Sequence, residues 1–286
     1  MGSFIGHIDE ASVFLILSLW WMYNSFTLHI KASKGNGKYE TQMSYYSTIC
    51  GKTLPLEQVL KIGFPAIAII GECVDSRFQF WGENGEVAGV NYLMHITIYF
   101  LFVVHGTVDL LLKKGCRFVP VKADFITVAV AFTWYGMGMY FHAHMPRKTN
   151  FENMLHLLAT YPLFIMVLLA LLLAEFPESF NLDFLRCYCV GLLGTWITQT
   201  SFMLYIAKLP GIEKNPDWDR YSYANNHFIP VCFGFHMAFV LLFMMLFYAL
   251  LYWRISCTSK RSPSFKTNQK QETESAAILL NGELGN

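Results

Sequence analysis

The chain has 286 residues, of which 54% are hydrophobic, 16% aromatic and only 14% charged. Soluble domains carry about 25% charged residues, so this composition excludes an ordinary soluble domain and predicts a protein of the lipid bilayer. The formal net charge of +1 provides no clustered basic face that could neutralise phosphates, so no nucleic acid partner is expected.

Seven apolar runs are each long enough to cross about 30 Å of hydrocarbon as a helix. They lie near residues 11–30, 57–75, 89–112, 123–142, 152–176, 184–208 and 227–254. The second run is the weakest, because Gln58, Lys61 and Pro65 interrupt it. No Lys or Arg precedes the first run, so we expect it to remain as a helix instead of being cleaved as a signal. The expected fold class is an all-α polytopic membrane protein.

Lysine and arginine residues are unevenly divided between the two ends of these runs. Loops retained in the cytoplasm carry the excess of such residues. If all seven runs cross the membrane with the N-terminus outside, most of the 21 basic residues fall on the cytoplasmic side. Omitting the second run erases that bias. The sequence therefore predicts seven transmembrane helices, a lumenal or extracellular N-terminus and a cytoplasmic C-terminus.

The composition changes after the last run. Residues 1–256 are expected to form the transmembrane domain, and residues 257–286 a disordered cytoplasmic tail rich in Ser, Thr, Lys, Gln and Glu. The tail contains a pattern that resembles an acidic dileucine sorting signal, which coat adaptors bind. Its residues are Glu274, Ile278, Leu279 and Leu280. This pattern favours the Golgi, endosomes or lysosomes as the location, with the plasma membrane as the alternative.

Most of the nine histidines fall near one end of the apolar runs, and several acids lie at the same depth. Ionisable groups at the centre of a bilayer cost roughly 2.5 kcal/mol or more, so those present typically face a protein interior or line a pathway. We expect a buried site on the lumenal side, where imidazoles and acids could hold a transition metal such as zinc. The candidate ligands are His95, His142, His144, His156, His236 and Glu72, and the supporting residues are His7, Asp75, Asp109, His105 and Gln199.

The sharpest local element of this set is His142-Ala143-His144. In a regular helix, side chains two residues apart diverge by about 200°, so joint ligation requires the helix to have ended. The following Met145-Pro146 favours such an end, because the residue before a proline is pushed toward extended geometry. The alternative for each histidine is a core or interfacial group bonded to a backbone carbonyl.

Other polar and aromatic residues have separate expectations. His105 and Asp109 lie deeper, at i and i+4, where they are expected to hydrogen-bond along one helix face. Gln199 lies in the middle of the sixth run and needs a partner, for which the lumenal site is the candidate. The tryptophans are expected to lie mostly in interfacial belts. Those concerned are Trp20, Trp21, Trp81, Trp134, Trp218 and Trp253.

Several stretches between residue 1 and about residue 250 form a combined pattern. They are Met1 to His7 with Trp20-Trp21; His95 with Tyr99 and Asp109; Phe141 to His144 with His156; Gly194-Thr195-Trp196 with Gln199 and Leu204-Tyr205; and Cys232-Phe233 with His236. Together they resemble the transmembrane protein 45 family, which also contains the epididymal membrane proteins. The resemblance implies about seven helices, a location in endomembranes and no established activity. The family has a Gly after its His-x-His, where this chain has Met145-Pro146.

Three hypotheses about function remain open from the sequence. The first is a lumenal site for a transition metal or a proton-coupled ligand, which imidazoles titrating near pH 6.5 would suit in acidifying organelles. The second is a non-catalytic trafficking or scaffold protein that acts through its cytoplasmic tail. The third is a metal-dependent membrane hydrolase or haem protein that uses the same histidines, so whether the protein is an enzyme stays open.

Overall fold

The computed structural model describes residues 4–35, 37–49, 52–144, 149–205 and 223–261. These residues form seven helices and one short antiparallel hairpin. The helices are α1 (Phe4–Ser33), α2 (Leu56–Asp75), α3 (Val90–Lys113), α4 (Ala123–Ala143), α5 (Asn150–Glu175), α6 (Phe180–Tyr205) and α7 (Tyr223–Arg261). The hairpin strands are β1 (Ser47–Ile49) and β2 (Lys52–Leu54), between α1 and α2. Each predicted apolar run corresponds to one helix.

Four of the helices are long and apolar enough to cross a membrane, by their length and composition. They contain the spans Gly6–Ser33, Val90–Lys113, Asn150–Glu175 and Tyr223–Thr258, which belong to α1, α3, α5 and α7. The chain is therefore a helical, multi-pass membrane protein. That α2, α4 and α6 also cross the membrane, and which end of the bundle faces the lumen, stay predictions.

Successive helices run in opposite directions, so the bundle has two ends. The starts of α1, α3, α5 and α7 share one end with the last turns of α2, α4 and α6, and we call it the His7 end. The opposite one is the Arg186 end. Contacts fix this arrangement: the ring of His7 lies 5.3 Å from that of Tyr205, and Ser25 near the end of α1 donates a 2.6 Å hydrogen bond to Asp183 near the start of α6.

Small residues allow the closest helix pairs to approach. A Cβ atom at Gly194 would lie 3.0 Å from the backbone nitrogen of Leu15, so α6 packs against α1 almost backbone to backbone. A Cβ atom at Gly106 on α3 would lie 2.9 Å from the Cβ of Lys61 on α2. Such glycines serve close packing between membrane helices, where apolar burial provides little drive for association.

The interior is concentrated around α5 and α6. Leu155, Leu163, Leu193 and Trp196 are fully buried, and the Trp196 Nε1–H donates to the Leu155 carbonyl at 2.9 Å. A buried indole N–H needs such a partner because an unsatisfied polar group in an apolar interior is costly. By contrast, α7 exposes most of its apolar side chains, including Phe239, which suits contact with lipid.

Residues 37–46, which we call the strap, fold back over the Arg186 end. Tyr39, Met43, Ser44 and Tyr45 of the strap are buried, although the sequence places this segment in a loop. The Thr41 N–H donates to the carbonyl of Pro177 at 2.7 Å, which ties the strap to the connection between α5 and α6. The strap, which follows α1 in the chain, therefore covers the Arg186 end of the bundle.

Three features of the sequence analysis reach or lie beyond the limits of the described residues. Helix α7 continues to Arg261, so the helical part extends beyond the boundary expected at residue 256. The sorting pattern, Glu274, Ile278, Leu279 and Leu280, lies outside the described residues, as does Met145-Pro146. The sorting role of that pattern and the extended geometry expected before Pro146 both stay predictions.

Candidate functional site

Three of the predicted histidines come together at the His7 end, from three different helices. The rings of His142 on α4 and His156 on α5 have centroids 4.2 Å apart, and the ring of His7 on α1 lies 6.2 Å from that of His156. The Nδ1–H of His156 donates to the Glu152 carbonyl of its own helix at 2.7 Å. We call His7, His142 and His156 the histidine group.

A second polar group lies at the same end. His95 Nδ1 on α3 lies 2.8 Å from Glu72 Oε1 on α2, in a pair that is partly exposed. The Tyr135 hydroxyl on α4 hydrogen-bonds to Glu10 on α1. Glu10 and Glu72 are both close enough to act electrostatically on Tyr99. Acids, imidazole and phenols from four helices are thus gathered at one depth.

The remaining predicted ligands have other neighbours. His144 is exposed and its Nδ1–H donates to the Tyr140 carbonyl at 2.8 Å, while the ring of His236 packs 5.6 Å from that of Trp196. Asp75 is exposed and Gln199 is half-buried. Within the described ranges, no three or more His, Cys, Asp or Glu side chains are arranged, as they stand, to hold a metal ion. A zinc site therefore stays a prediction from the sequence.

His142 and His144 have different neighbours. Helix α4 continues through Ala143, so the two rings point to different neighbours, as the 200° divergence of a regular helix requires. The ring of His142 lies beside that of His156, whereas the ring of His144 packs against that of Tyr140, with centroids 4.3 Å apart and an interplanar angle of 35°. The helix does end at Ala143, with His144 as the capping residue, and a ligand shared by the two histidines stays a prediction.

The Arg186 end contains three buried ion pairs that the sequence did not identify as a site. Arg186 NH2 lies 2.7 Å from Asp183 Oδ1, and both side chains are fully buried. Lys61 Nζ lies 2.7 Å from Glu57 Oε1 and 3.3 Å from Asp109 Oδ2. We call these five residues the charge cluster. They join α2, α3 and α6.

Two adjacent tryptophans hold the Glu57 carboxylate. The Nε1–H groups of Trp20 and Trp21 each donate to one of its oxygens at 2.8 Å, and the backbone N–H of Tyr45 donates at 2.7 Å. Trp21 is buried in the bundle, and an interfacial position for this residue stays a prediction. Its indole N–H has a carboxylate partner inside the bundle, which removes the need for water at a headgroup.

The strap supplies the remaining partners of the cluster. The Tyr39 hydroxyl hydrogen-bonds to Asp183, and the Ser44 hydroxyl donates to Asp109 at 2.6 Å. The carbonyl of Met43 accepts from Lys61 at 3.2 Å, and its sulfur lies 3.5 Å from Arg186 NH1. Each charged side chain of the cluster thus contacts the strap as well as residues of the helices.

Burial changes the acidity of two strap tyrosines. Burial raises the pKa of the Tyr39 hydroxyl, and the negative charge of Asp183 raises this pKa further. The pKa of Tyr45 is raised by the same two causes, in the same order. Both hydroxyls therefore stay protonated at neutral pH, and Tyr39 acts as a donor to the carboxylate.

The expected hydrogen bond between His105 and Asp109 is not formed. His105 Nδ1 lies 3.2 Å from the Thr127 hydroxyl on α4, and its buried Nε2 has no hydrogen-bond partner within the described part of the chain. Asp109 instead accepts from Ser44 and pairs with Lys61. A cation and a hydroxyl stabilise a carboxylate better than a neutral imidazole one turn away.

A sequence signal for the charge cluster did exist. Asp183 and Arg186 are spaced at i and i+3, and Glu57 and Lys61 at i and i+4, which places each acid beside its base on one helix face. Acids and bases at helical spacing near the ends of apolar runs therefore indicated buried ion pairs. Searching for apolar length alone treats the same residues as interruptions.

Comparison with known proteins identifies two similarities. Residues 121–249, from the start of α4 into α7, match the model of a family described as "Family of unknown function (DUF716)". The chain is 21% identical over 300 residues to transmembrane epididymal protein 1A of Mus musculus, covering 97% of this chain and 91% of that protein. Neither description states an activity.

Proposed function

We propose that this chain is a seven-span endomembrane protein with a lumenal ligand site. The two similarities agree with the chain's resemblance to the transmembrane protein 45 family, a group without an established activity. The uneven division of basic residues supports the orientation, because it places the Arg186 end in the cytoplasm. The His7 end then faces the lumen of the Golgi, endosomes or lysosomes.

The proposed site is the histidine group, and the observation that carries it is the approach of three imidazoles from three helices. His142 and His156 have ring centroids 4.2 Å apart, and His7 lies 6.2 Å from His156. Neutral imidazole nitrogen is a good ligand for transition metals such as zinc. The bond from His156 Nδ1–H to the Glu152 carbonyl orients the ring, as backbone carbonyls typically do for histidines that bind metals.

The ligand that this chemistry suits is a transition-metal ion, with the proton as its competitor for the same nitrogens. Zinc binds imidazole nitrogen at about 2.0–2.1 Å, so the rings would have to turn toward a common point to hold it. Imidazole titrates near pH 6.5, within the range of acidifying organelles, so a bound metal would be released as the lumen acidifies. The site would thus respond to both metal and pH.

Metal analysis of the purified full-length protein tests this proposal. Protein prepared at neutral pH without chelators should contain stoichiometric metal, and the His142→Ala/His156→Ala variant should lose it. His144→Ala is the matched control, because that ring is exposed and bonded to its own helix. Absence of metal from the wild type, or equal metal in the double variant, contradicts the metal form of the proposal.

A proton-coupled form of the same site has its own test. Bringing positive charge onto neighbouring rings is unfavourable, so acidification through the titration range of imidazole should lower the thermal unfolding temperature of the wild type. The double variant His142→Ala/His156→Ala should lose that dependence, while His144→Ala should retain it. A wild type whose unfolding temperature does not change over that range contradicts the proton form.

A second candidate function is sorting through the cytoplasmic tail, favoured by the dileucine pattern in its sequence. We propose that coat adaptors bind this pattern and keep the protein in endosomal membranes. Leu279→Ala/Leu280→Ala should move a tagged full-length protein to the plasma membrane, whereas the neighbouring control Asn281→Ala should not. An unchanged location of the double variant contradicts this role. Hydrolase and haem functions would need the same histidines and have no additional support.

A further inference from the structure

The connection between α3 and α4, residues 114–122, lies beside the ends of two apolar spans at the Arg186 end. The span in α3 ends at Lys113 and the span in α5 at Glu175, and both are long and apolar enough to cross a membrane. The Lys122 ammonium hydrogen-bonds to the carbonyl of Ala174, which ties the connection to the end of α5. This connection, which we call the α3–α4 loop, therefore lies at the boundary between hydrocarbon and lipid headgroups.

Hydrogen bonds fix the backbone where the loop begins. The N–H of Gly115 donates to the Leu112 carbonyl at 2.9 Å, and the N–H of Cys116 donates to the Leu111 carbonyl at 3.0 Å. This pairing is a Schellman motif, and Gly115 has the left-handed φ of +74° that such a helix end favours. The loop therefore leaves α3 in one defined direction.

Two consecutive turns follow, formed by residues 116–119 and 120–123. Backbone hydrogen bonds of 3.3 and 3.1 Å close them, from the fourth residue of each turn to the first. The central residues of the two turns are Arg117, Phe118, Val121 and Lys122. Turns that face water typically have Gly, Asn, Asp or Ser at such positions. Each turn here has one basic and one apolar residue instead, a combination that suits the interface of a bilayer.

The two apolar residues of these turns project from the protein. Phe118 is 78% exposed and Val121 is 84% exposed, although the backbone that carries them is ordered by hydrogen bonds. Large apolar side chains exposed next to each other mark a contact surface. Because the loop lies at the ends of two membrane spans, acyl chains are the apolar partner at the same level.

Two of the four basic residues in and beside the loop hold it in place. The Lys113 ammonium donates to Gln42 Oε1 at 2.9 Å and lies 5.4 Å from the centroid of the Tyr46 ring, so it joins the end of α3 to the strap. Lys122 joins the other end of the loop to α5. These two cations are therefore used within the protein.

The other two basic residues, Lys114 and Arg117, are available to an external anion. Both are exposed, and neither forms an ion pair within the described part of the chain. A guanidinium binds phosphate through two parallel N–H bonds, and an ammonium adds a compact positive charge. A headgroup with a net negative charge suits this pair better than a zwitterionic one, whose own ammonium the two cations repel.

We propose that the α3–α4 loop binds an anionic phospholipid of the bilayer that the protein spans. Phe118 and Val121 lie among the acyl chains, and the headgroup phosphate contacts Arg117 and Lys114. The cytoplasmic leaflet is the one rich in anionic lipids such as phosphatidylserine. The source of the lipid thus rests on the proposed orientation, in which the Arg186 end is cytoplasmic, whereas its chemistry does not.

Photo-cross-linking of the full-length protein tests this proposal. The photo-reactive analogue p-benzoylphenylalanine replaces Phe118, and the protein is reconstituted in vesicles of phosphatidylcholine with a minor share of phosphatidylserine. After illumination, mass spectrometry identifies the attached molecules. Each basic residue near an anionic surface contributes about fivefold, so phosphatidylserine should be enriched about twentyfold over its share of the vesicle lipid. Lys114→Ala/Arg117→Ala should reduce the attached lipids to the composition of the vesicle.

Two controls separate recognition by the loop from general contact with lipid. The same analogue in place of Phe100, which is 57% exposed in the middle of α3, should attach lipids at the vesicle composition. It should do so in the double variant as well, which shows that this variant is folded and inserted. Lys52→Ala removes an exposed cation of the hairpin and should leave the enrichment at position 118 unchanged.

The outcomes that overturn the proposal differ in what they remove. Attachment at position 118 at the vesicle composition, or equal enrichment in the double variant, overturns recognition of an anionic headgroup. Attachment to a second copy of the chain, or lipid at position 100 but none at position 118, overturns lipid as the occupant of the loop. Absence of lipid at both positions overturns the membrane span of α3 on which the proposal rests. The histidine group lies at the opposite end, and its metal content is measured independently.

Discussion

The guanidinium carbon of Arg186 lies 4.6 Å from the centroid of the Trp21 ring, while the same indole donates its N–H to Glu57. Lys61 Nζ also lies 5.3 Å from this centroid. A single side chain of α1 therefore contacts both cations of the charge cluster and one of its carboxylates. Through these contacts Trp21 links α1 to α2 and α6. A cation over an indole in a desolvated position contributes about 2 kcal/mol.

Replacing Trp21 with phenylalanine should destabilise the protein, because it keeps an aromatic face for Arg186 but removes a donor to a buried carboxylate. The expected loss of unfolding free energy is about 1.5–3 kcal/mol, typical of a hydrogen bond to a charged group. Unfolding by a denaturing detergent, followed by circular dichroism, measures the loss. Trp20→Phe is the matched control: it removes a half-buried donor to the same carboxylate and should cost less. Equal losses would contradict the proposed role of Trp21.

Asp183→Asn should be among the most destabilising single changes, because it leaves the Arg186 charge buried and unpaired. Removing one partner of a buried ion pair costs about 3–5 kcal/mol. The double variant Asp183→Asn/Arg186→Met should recover part of this loss, since it removes the unpaired charge and keeps the apolar stem. The same unfolding measurement applied to both variants checks this. A double variant less stable than Asp183→Asn would contradict it.

The sequence predicted the number of helices well but their ends less well. Apolar runs of about 20 residues identify helices because the backbone must satisfy its own hydrogen bonds in lipid. The first run, expected near 11–30, is part of a helix that begins at Phe4, since Glu10 finds a partner in Tyr135. A hydropathy pattern predicts that a helix ends where polar residues begin. In the folded chain the helix continues where those polar residues have partners.

The sites were predicted only in part, because the direction of a side chain depends on where its helix ends and on the rotation of the helix about its axis. The sequence placed His142 and His156 at one depth, and they do meet, but it could not distinguish His142 from His144. Asp183 and Arg186 escaped notice for a different reason. In the sequence, charged residues near the end of an apolar run look like loop residues. Only the folded structure shows that the strap covers them.

Gly194→Ala should destabilise the packing of α6 against α1. The added Cβ would lie 3.0 Å from the backbone nitrogen of Leu15, and backbone atoms cannot move aside as a flexible side chain can. Overpacking of this kind costs about 1–3 kcal/mol. Gly234→Ala on α7 is the control: no atom lies within 4 Å of its added Cβ, so it should gain about 0.5–1 kcal/mol from helix propensity. A loss of the same size at both positions would contradict the close approach.

Alkaline pH should weaken the contribution of Tyr39 to stability. In the unfolded chain a tyrosine loses its proton near pH 10, whereas in the folded protein burial and then the charge of Asp183 raise the pKa of Tyr39. The folded state thus holds this proton more tightly. Its contribution is fully present below about pH 10 and is lost as the pH rises toward the folded-state pKa.

Comparing the wild type with Tyr39→Phe measures this contribution. At neutral pH the variant should be less stable by about 1.5–3 kcal/mol, because Asp183 loses a hydroxyl donor. The difference between the two proteins should shrink above about pH 10, as tyrosine ionisation in the unfolded chain begins to favour unfolding of the wild type. Tyr46→Phe, which changes an exposed strap tyrosine bonded to the Lys113 carbonyl, should show a smaller difference. If the difference for Tyr39→Phe stays constant from neutral to alkaline pH, the buried phenol does not hold its proton as described.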